Sequence, residues 1–171
     1  MTSILCVLWL TVWSAAQAPA ANVNQSCSAA EFHQFDFWEG RWDVFGPAGK
    51  LAGHNTIASV QGGCALVESW TGADGGTGTS LNFYDRTDRR WHQSWIGSTG
   101  GALRLAGGLK GSGMVLAADP VVRPDGTTVV NRITWTPLAD GAVRQVWEVS
   151  KDGGREWQVV FDGKYVRTPT S

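Results

Sequence analysis

The sequence predicts an all-β fold: a single antiparallel up-and-down β-barrel of about ten strands, with a short helical turn ahead of it. Three observations carry this expectation. From Phe35 onward, short segments alternate apolar and polar residues, the period of a strand that buries one face. Between them lie Gly, Asp and Pro clusters of hairpin length, so the 22 glycines among 171 residues belong to turns. The composition agrees, because 43% hydrophobic and 11% aromatic residues can fill one core. The length suits one domain and leaves no room for a separate cofactor domain.

In chain order, the first feature is an address. Ile4-Leu5-Cys6-Val7-Leu8-Trp9-Leu10-Thr11-Val12-Trp13 is apolar, and Ser14-Ala15-Ala16-Gln17-Ala18-Pro19-Ala20 follows it. The run is shorter than the roughly 20 residues of a bilayer span. With small residues behind it, it reads as a signal peptide over residues 1–20, cleaved after Ala18-Pro19-Ala20. An uncleaved anchor is the alternative, since no Lys or Arg precedes the apolar run. Cleavage would leave no membrane span and a periplasmic or secreted protein. Residues 21–34 then form an N-terminal arm, 35–167 the barrel and 168–171 a C-terminal tail. Cys6 leaves with the signal, so Cys27 and Cys64 remain as a disulfide candidate in an oxidising compartment. Without a C-x-x-C or clustered His, they are not expected to hold a metal.

Ser28-Ala29-Ala30-Glu31 is a Ser-x-x-Glu capping pattern and predicts the helical turn. Strands are expected at residues 42–45, 51–60, 65–71, 80–85, 91–98, 102–109, 114–118, 128–137, 142–150 and 156–166. A two-sheet sandwich competes with the barrel, but its Greek key needs a longer crossover than the spacing offers. Near the end of the chain, register can be read as well. A loop Ala139-Asp140-Gly141, with Gly141 left-handed, places Ile133 opposite Trp147, Trp135 opposite Gln145, and Arg132 opposite Glu148. The next hairpin is expected to match Val149 with Trp157, Trp147 with Val159, and Arg144 with Asp162. Both Arg–acid pairs then read as outer-face ladders.

Ser150-Lys151-Asp152-Gly153-Gly154-Arg155-Glu156-Trp157 matches the Asp-box pattern S-x-D-x-G-x-x-W. Its mechanism is local: Ser150 and Asp152 bond turn amides, Gly154 takes an unusual φ, and Trp157 packs beneath. Propellers such as sialidases carry it once per blade. Here it occurs once in a chain too short for several blades, so it supports a hairpin and not a glycosidase.

Four strands share a second pattern. Trp91-Gln93-Trp95, Val143-Gln145-Trp147, Leu66-Glu68-Trp70 and Asn131-Ile133-Trp135 each put one polar group among large apolar residues at period two. An unpaired buried amide costs roughly 1–3 kcal/mol, so such groups call for partners. An apolar concavity with a few convergent polar groups is the make-up of a small-molecule site. The competing reading is a filled barrel in which these groups satisfy one another or bound water. The expected ligand-binding set is Trp38, Glu68, Trp70, Tyr84, Gln93, Trp95, Asn131, Trp135, Gln145 and Trp147, for a small, largely apolar or aromatic molecule. Catalytic signals are weak. His33, His54 and His92 are dispersed, and no G-x-S-x-G, H-E-x-x-H or phosphate loop occurs. Glu68 is the one carboxylate that tryptophan surroundings would suit to acid–base work. An isomerase, lyase or hydrolase using it is the enzymatic alternative, and an envelope interaction protein is the third reading. Lys and Arg (14) nearly balance Asp and Glu (15), which argues against nucleic acid as a partner. No cofactor or metal motif is read, and nothing in the sequence sets an oligomeric state.

Phe35-Asp36-Phe37-Trp38-Glu39-Gly40-Arg41-Trp42-Asp43-Val44 opens the barrel, with Arg132-Ile133-Thr134-Trp135-Thr136-Pro137, Val143–Ser150 and Phe161-Asp162-Gly163-Lys164-Tyr165 further on. Together with the W-x-Q-x-W strand, this F-D-F-W-x-G-x-W opening resembles an uncharacterised bacterial domain family of exported, calycin-type (lipocalin-like) barrels. The resemblance runs from about Phe35 to Arg167. It implies a barrel and export, and it brings no catalytic residues. Haem-binding nitrobindin barrels are similar only in broad fold, and no histidine here matches their iron ligand.

Overall fold

The computed structural model describes residues 27–169. The expected signal peptide (1–20), most of the arm and the last two residues of the tail lie outside the described residues. Eleven strands follow in chain order: β1 Gly40–Phe45, β2 Leu51–Val60, β3 Ala65–Gly72, β4 Thr77–Asp85, β5 Arg90–Gly97, β6 Ala102–Lys110, β7 Gly113–Ala117, β8 Val121–Val122, β9 Thr128–Pro137, β10 Val143–Ser150 and β11 Gln158–Arg167. Consecutive strands from β1 to β7 pair antiparallel, β7 pairs with β9, β9 with β10, β10 with β11, and β11 with β1. Ten strands therefore close into one barrel, as expected, and no sandwich forms. The extra strand β8 pairs with the start of β9 across Pro124-Asp125-Gly126. Two exposed valines give it no alternating pattern, which is why periodicity missed it.

Alternating strand directions sort the loops between two ends. One end carries the β2–β3, β4–β5, β6–β7 and β9–β10 turns; the other carries the β3–β4, β5–β6 and β10–β11 turns. The first end is plugged by the N-terminal segment. The expected short helical turn is present as two 3-10 turns, Ala30–His33 and Asp36–Trp38. Phe32, Phe35 and Trp38 are buried. Phe35 stacks on Trp38 at 4.9 Å and meets Trp91 and Trp135 edge-on at 5.6 and 5.1 Å. Trp42 on β1 donates its indole N–H to the Trp38 carbonyl (2.9 Å), and the Arg167 guanidinium of the last strand lies 4.4 Å over its ring. Gly40 makes this junction possible, with a φ of +141° and Arg167 filling the space a side chain would need. Cys27 and Cys64 form the expected disulfide, tying the plug to the β2–β3 turn.

The register of β9–β10 is as expected: Ile133 faces Trp147, Trp135 faces Gln145, and Arg132 faces Glu148 at 2.9 Å. Gly141 is left-handed, at φ +78°. The β10–β11 register departs from expectation. A turn one residue longer than expected sets Val149 opposite Gln158, and a bulge between Trp147 and Glu148 then sets Trp147 opposite Phe161, leaving Val159 exposed. Trp157 stays in the turn. A bulge adds a residue on one strand only, so a two-residue repeat cannot anticipate it. Arg144 and Asp162 still meet, diagonally, at 2.6 Å.

Candidate functional site

Inward positions of the strands change character along the barrel axis. Next to the plug they are fully packed. Toward the other end they surround a cavity of about 160 Å³. Its walls are Trp70 (β3), Trp95 (β5), Trp147 (β10) and Phe161 (β11), with Leu103 and Ile133 between them. Its floor is Glu68, Gln93, Gln145 and Tyr165. The walls stand where glycines make room. A Cβ at Gly53 would lie 2.6 Å from the Trp70 ring, at Gly78 2.7 Å and at Gly97 2.6 Å from Trp95, and at Gly163 2.7 Å from Phe161. These four glycines have ordinary φ values, so they serve for space and not for conformation. The aromatics occupy the wall instead of collapsing into the lumen.

The floor is a hydrogen-bonded network. Glu68 accepts from Asn55 Nδ2 at 2.7 Å on one oxygen and from Ser80 Oγ at 2.6 Å on the other. Asn82 donates to Ser80 Oγ (2.9 Å), and Gln93 Nε2 donates to Asn82 Oδ1 (2.9 Å). Across the lumen, Gln145 Oε1 accepts from Tyr165 and from the Trp135 indole. Burial pushes the Glu68 carboxyl above its usual value, against the opposing bonds from Ser80 and Asn55. Burial, then the nearby Glu68 charge, push the Tyr165 phenol well above its own. Tyr165 is therefore a neutral donor at physiological pH.

Of the ten expected site residues, six line the cavity: Glu68, Trp70, Gln93, Trp95, Gln145 and Trp147. The other four sit elsewhere. Trp38 and Trp135 belong to the plug and are fully buried. Tyr84 packs edge-on against Phe32 at 5.4 Å, beside the plug. Asn131 stands behind the wall, accepting the Trp147 indole N–H at 2.9 Å. Period two put Asn131 and Trp135 on one face with Ile133, but it carries no information on depth along the axis, and Trp38 lies in a 3-10 turn outside any strand.

Sequence reasoning missed Phe161 and Tyr165 as lining, and Asn55, Ser80 and Asn82 beneath them. Phe161-Gly163-Tyr165 and Ser80-Asn82 both repeat at period two, and that was the signal available. Each histidine instead bonds an aspartate: His33 to Asp36, His54 to Asp43 and His92 to Asp88, at 2.7–2.8 Å. Among the described residues, Asp85, Asp88 and His92 bring ligand-type atoms within 4.8 Å of one another. Their oxygens already accept the turn amides of Thr87 and Arg90, so they close the β4–β5 hairpin.

The β10–β11 turn is also held by its own side chains. Ser150 Oγ accepts from the Gly154 amide, Asp152 from the Arg155 and Glu156 amides, and the Trp157 indole donates to the Gly154 carbonyl. Arg132 lies 3.8 Å over the Trp157 ring. No model of a known protein family matches the chain, and no curated protein matches it either.

Proposed function

We propose that this barrel is an exported binding protein that takes a small, largely apolar or aromatic molecule into the tryptophan-walled cup. One observation carries the reading: four aromatic side chains stand around 160 Å³, and glycines on their own or neighbouring strands make room for three of them, Trp70, Trp95 and Phe161. A barrel needing only stability would fill that space with larger residues, because close packing is the norm in protein interiors. An apolar cavity of about 150 Å³ can take a guest the size of benzene, so a guest held wholly inside has about six or seven heavy atoms, more if part of it projects from the mouth. Export rests on the signal-like 1–20 segment and agrees with the disulfide. Among the described residues no helix is long and apolar enough to cross a membrane. The Phe35–Trp42 motif, which forms the plug, supports placing the chain with the exported lipocalin-like barrels it resembles. The test is intrinsic fluorescence, since three tryptophans line the cup. Titration with small aromatic and alicyclic compounds should shift the emission, and Trp95→Ala should weaken the response at least tenfold. A complete panel without any shift, or with the same shift in the variant, would refute the reading.

The raised carboxyl of Glu68 favours one second reading, a barrel enzyme in which this residue moves a proton. There, Glu68→Gln should abolish turnover with folding intact.

A further inference from the structure

We propose that the guest is a small organic cation, an alkylated ammonium, with its charge seated over Glu68 and its alkyl groups against the aromatic walls. This deepens the cup reading and rests on it.

At the floor, nearly every donor is spent within the protein. The Asn55 and Ser80 donors go to Glu68, those of Asn82 and Gln93 to their neighbours, and those of Tyr165 and Trp135 to the single oxygen of Gln145. On the wall, the Trp147 indole N–H is taken by Asn131.

What remains is mostly acceptor. Asn55 Oδ1 is buried without a partner. Gln93 Oε1 accepts from no donor among the described residues, and each carboxylate oxygen of Glu68 keeps lone-pair capacity beyond its one strong bond. The exceptions are the amide nitrogen of Gln145 and, on the walls, the indole N–H groups of Trp70 and Trp95, which bond no described residue. A floor of this kind asks for donors or positive charge and repels a carboxylate or phosphate.

The charge balance points the same way. Glu68 and Tyr165 are the titratable groups of the lining, the latter a phenol, and no Lys, Arg or His is among the lining residues. Asn55 on β2, Ser80 and Asn82 on β4, Gln93 on β5 and Tyr165 on β11 are the polar groups that face Glu68, and none is cationic. A buried carboxylate with no cationic partner is costly. A bound ammonium would supply the missing charge.

The walls select among cations. Trp70 and Phe161 meet nearly at right angles, 84° with centroids 6.3 Å apart, and Trp95 and Trp147 complete the enclosure. Aromatic rings around a cation attract it through their quadrupoles, and quaternary and methylated ammonium groups are the ones such cages recognise. A bare ammonium or guanidinium would also turn N–H groups toward the Trp, Phe, Leu and Ile walls, whose side chains offer no hydrogen-bond acceptor. Alkylated nitrogen has few or no N–H groups to satisfy and an apolar skin that fits the walls.

The experiment compares three guests of one shape on the purified full chain: choline, its neutral carbon isostere 3,3-dimethylbutan-1-ol, and 3,3-dimethylbutanoate. Binding is read by tryptophan fluorescence and calorimetry at neutral pH. Choline should bind at least tenfold more tightly than the alcohol, and the carboxylate should bind most weakly. In Glu68→Gln, whose amide keeps the shape of the floor, the preference for choline should shrink to within about twofold. Lowering the pH should weaken choline, and not the alcohol, as Glu68 takes up a proton. Equal or tighter binding of the alcohol in the wild-type protein overturns the cation, whatever the variant does. If neutral aromatics bind and choline does not, the cation falls and the cup stands. If nothing in either series binds, both fall.

Discussion

At the scale of single residues, Glu68 is the side chain on which most depends. The residue is buried, its carboxyl bonded by the Asn55 amide and the Ser80 hydroxyl, and burial outweighs both hydrogen bonds in raising its pKa. Linkage gives this a sign. The unfolded chain loses the Glu68 proton near pH 4.5, whereas the folded chain keeps it to higher pH. The contribution of Glu68 to stability is therefore fullest below pH 4.5 and declines as pH rises toward its folded-state value. Glu68→Gln removes that decline while keeping an oxygen and a donor in place. Its melting temperature relative to wild type should accordingly be higher at pH 8 than at pH 4, as thermal unfolding followed by circular dichroism would show. The same relative melting temperature at both pH values would mean that burial does not hold the proton. The energy spent on keeping this group dry is retained in the folded state, where a guest of the right charge can recover it.

At the scale of strands, the cup depends on pairs of glycine and aromatic residues more than on the aromatics alone. Gly78 on β4 faces Gly97 on β5 across the ladder, and both border the Trp95 ring. A methyl group at Gly97 would come within 2.6 Å of that ring, which must then swing toward the lumen. Gly97→Ala should cost about 1–3 kcal/mol as overpacking. It should also reduce guest affinity at least tenfold by narrowing the cup, with the strand content of the circular dichroism spectrum unchanged. Full affinity in this variant would show that Trp95 has another way to move. The same strands show why one register was legible and its neighbour was not. In β9–β10 an apolar pair, Ile133 with Trp147, and a charged pair, Arg132 with Glu148, demand the same alignment on opposite faces. In β10–β11 the charged pair Arg144–Asp162 survives a shift of register because long side chains reach diagonally. It therefore could not reveal the bulge that brings Phe161, and not Val159, to the cup. Depth along the axis was illegible for a related reason: alternation tells inside from outside, and only the shear of the closed barrel tells floor from plug.

At the scale of the whole molecule, the two ends of the barrel are built for different purposes. The plugged end gathers Phe35, Trp38, Trp42, Trp91 and Trp135, joins the first strand to the last through Arg167, and carries the Cys27–Cys64 bond. The open end carries the cup and is free to keep its glycines because stability is concentrated at the other. This division can be tested by weakening the plugged end alone. The disulfide spans 37 residues, a loop for which the chain-entropy model gives roughly 3–4 kcal/mol. Cys27→Ser with Cys64→Ser should lower the unfolding free energy by about that amount in urea titrations, with a somewhat steeper slope because the unfolded chain without its cross-link exposes more surface. Guest affinity, measured well below the urea midpoint, should stay within about twofold of wild type, because no cup residue touches the bond. A tenfold loss of affinity would show instead that the plug sets the geometry of the floor through the hydrogen bond from the Trp135 indole to Gln145. Plug and cup would then be a single unit, and the indole of Trp135 would be the place to separate them.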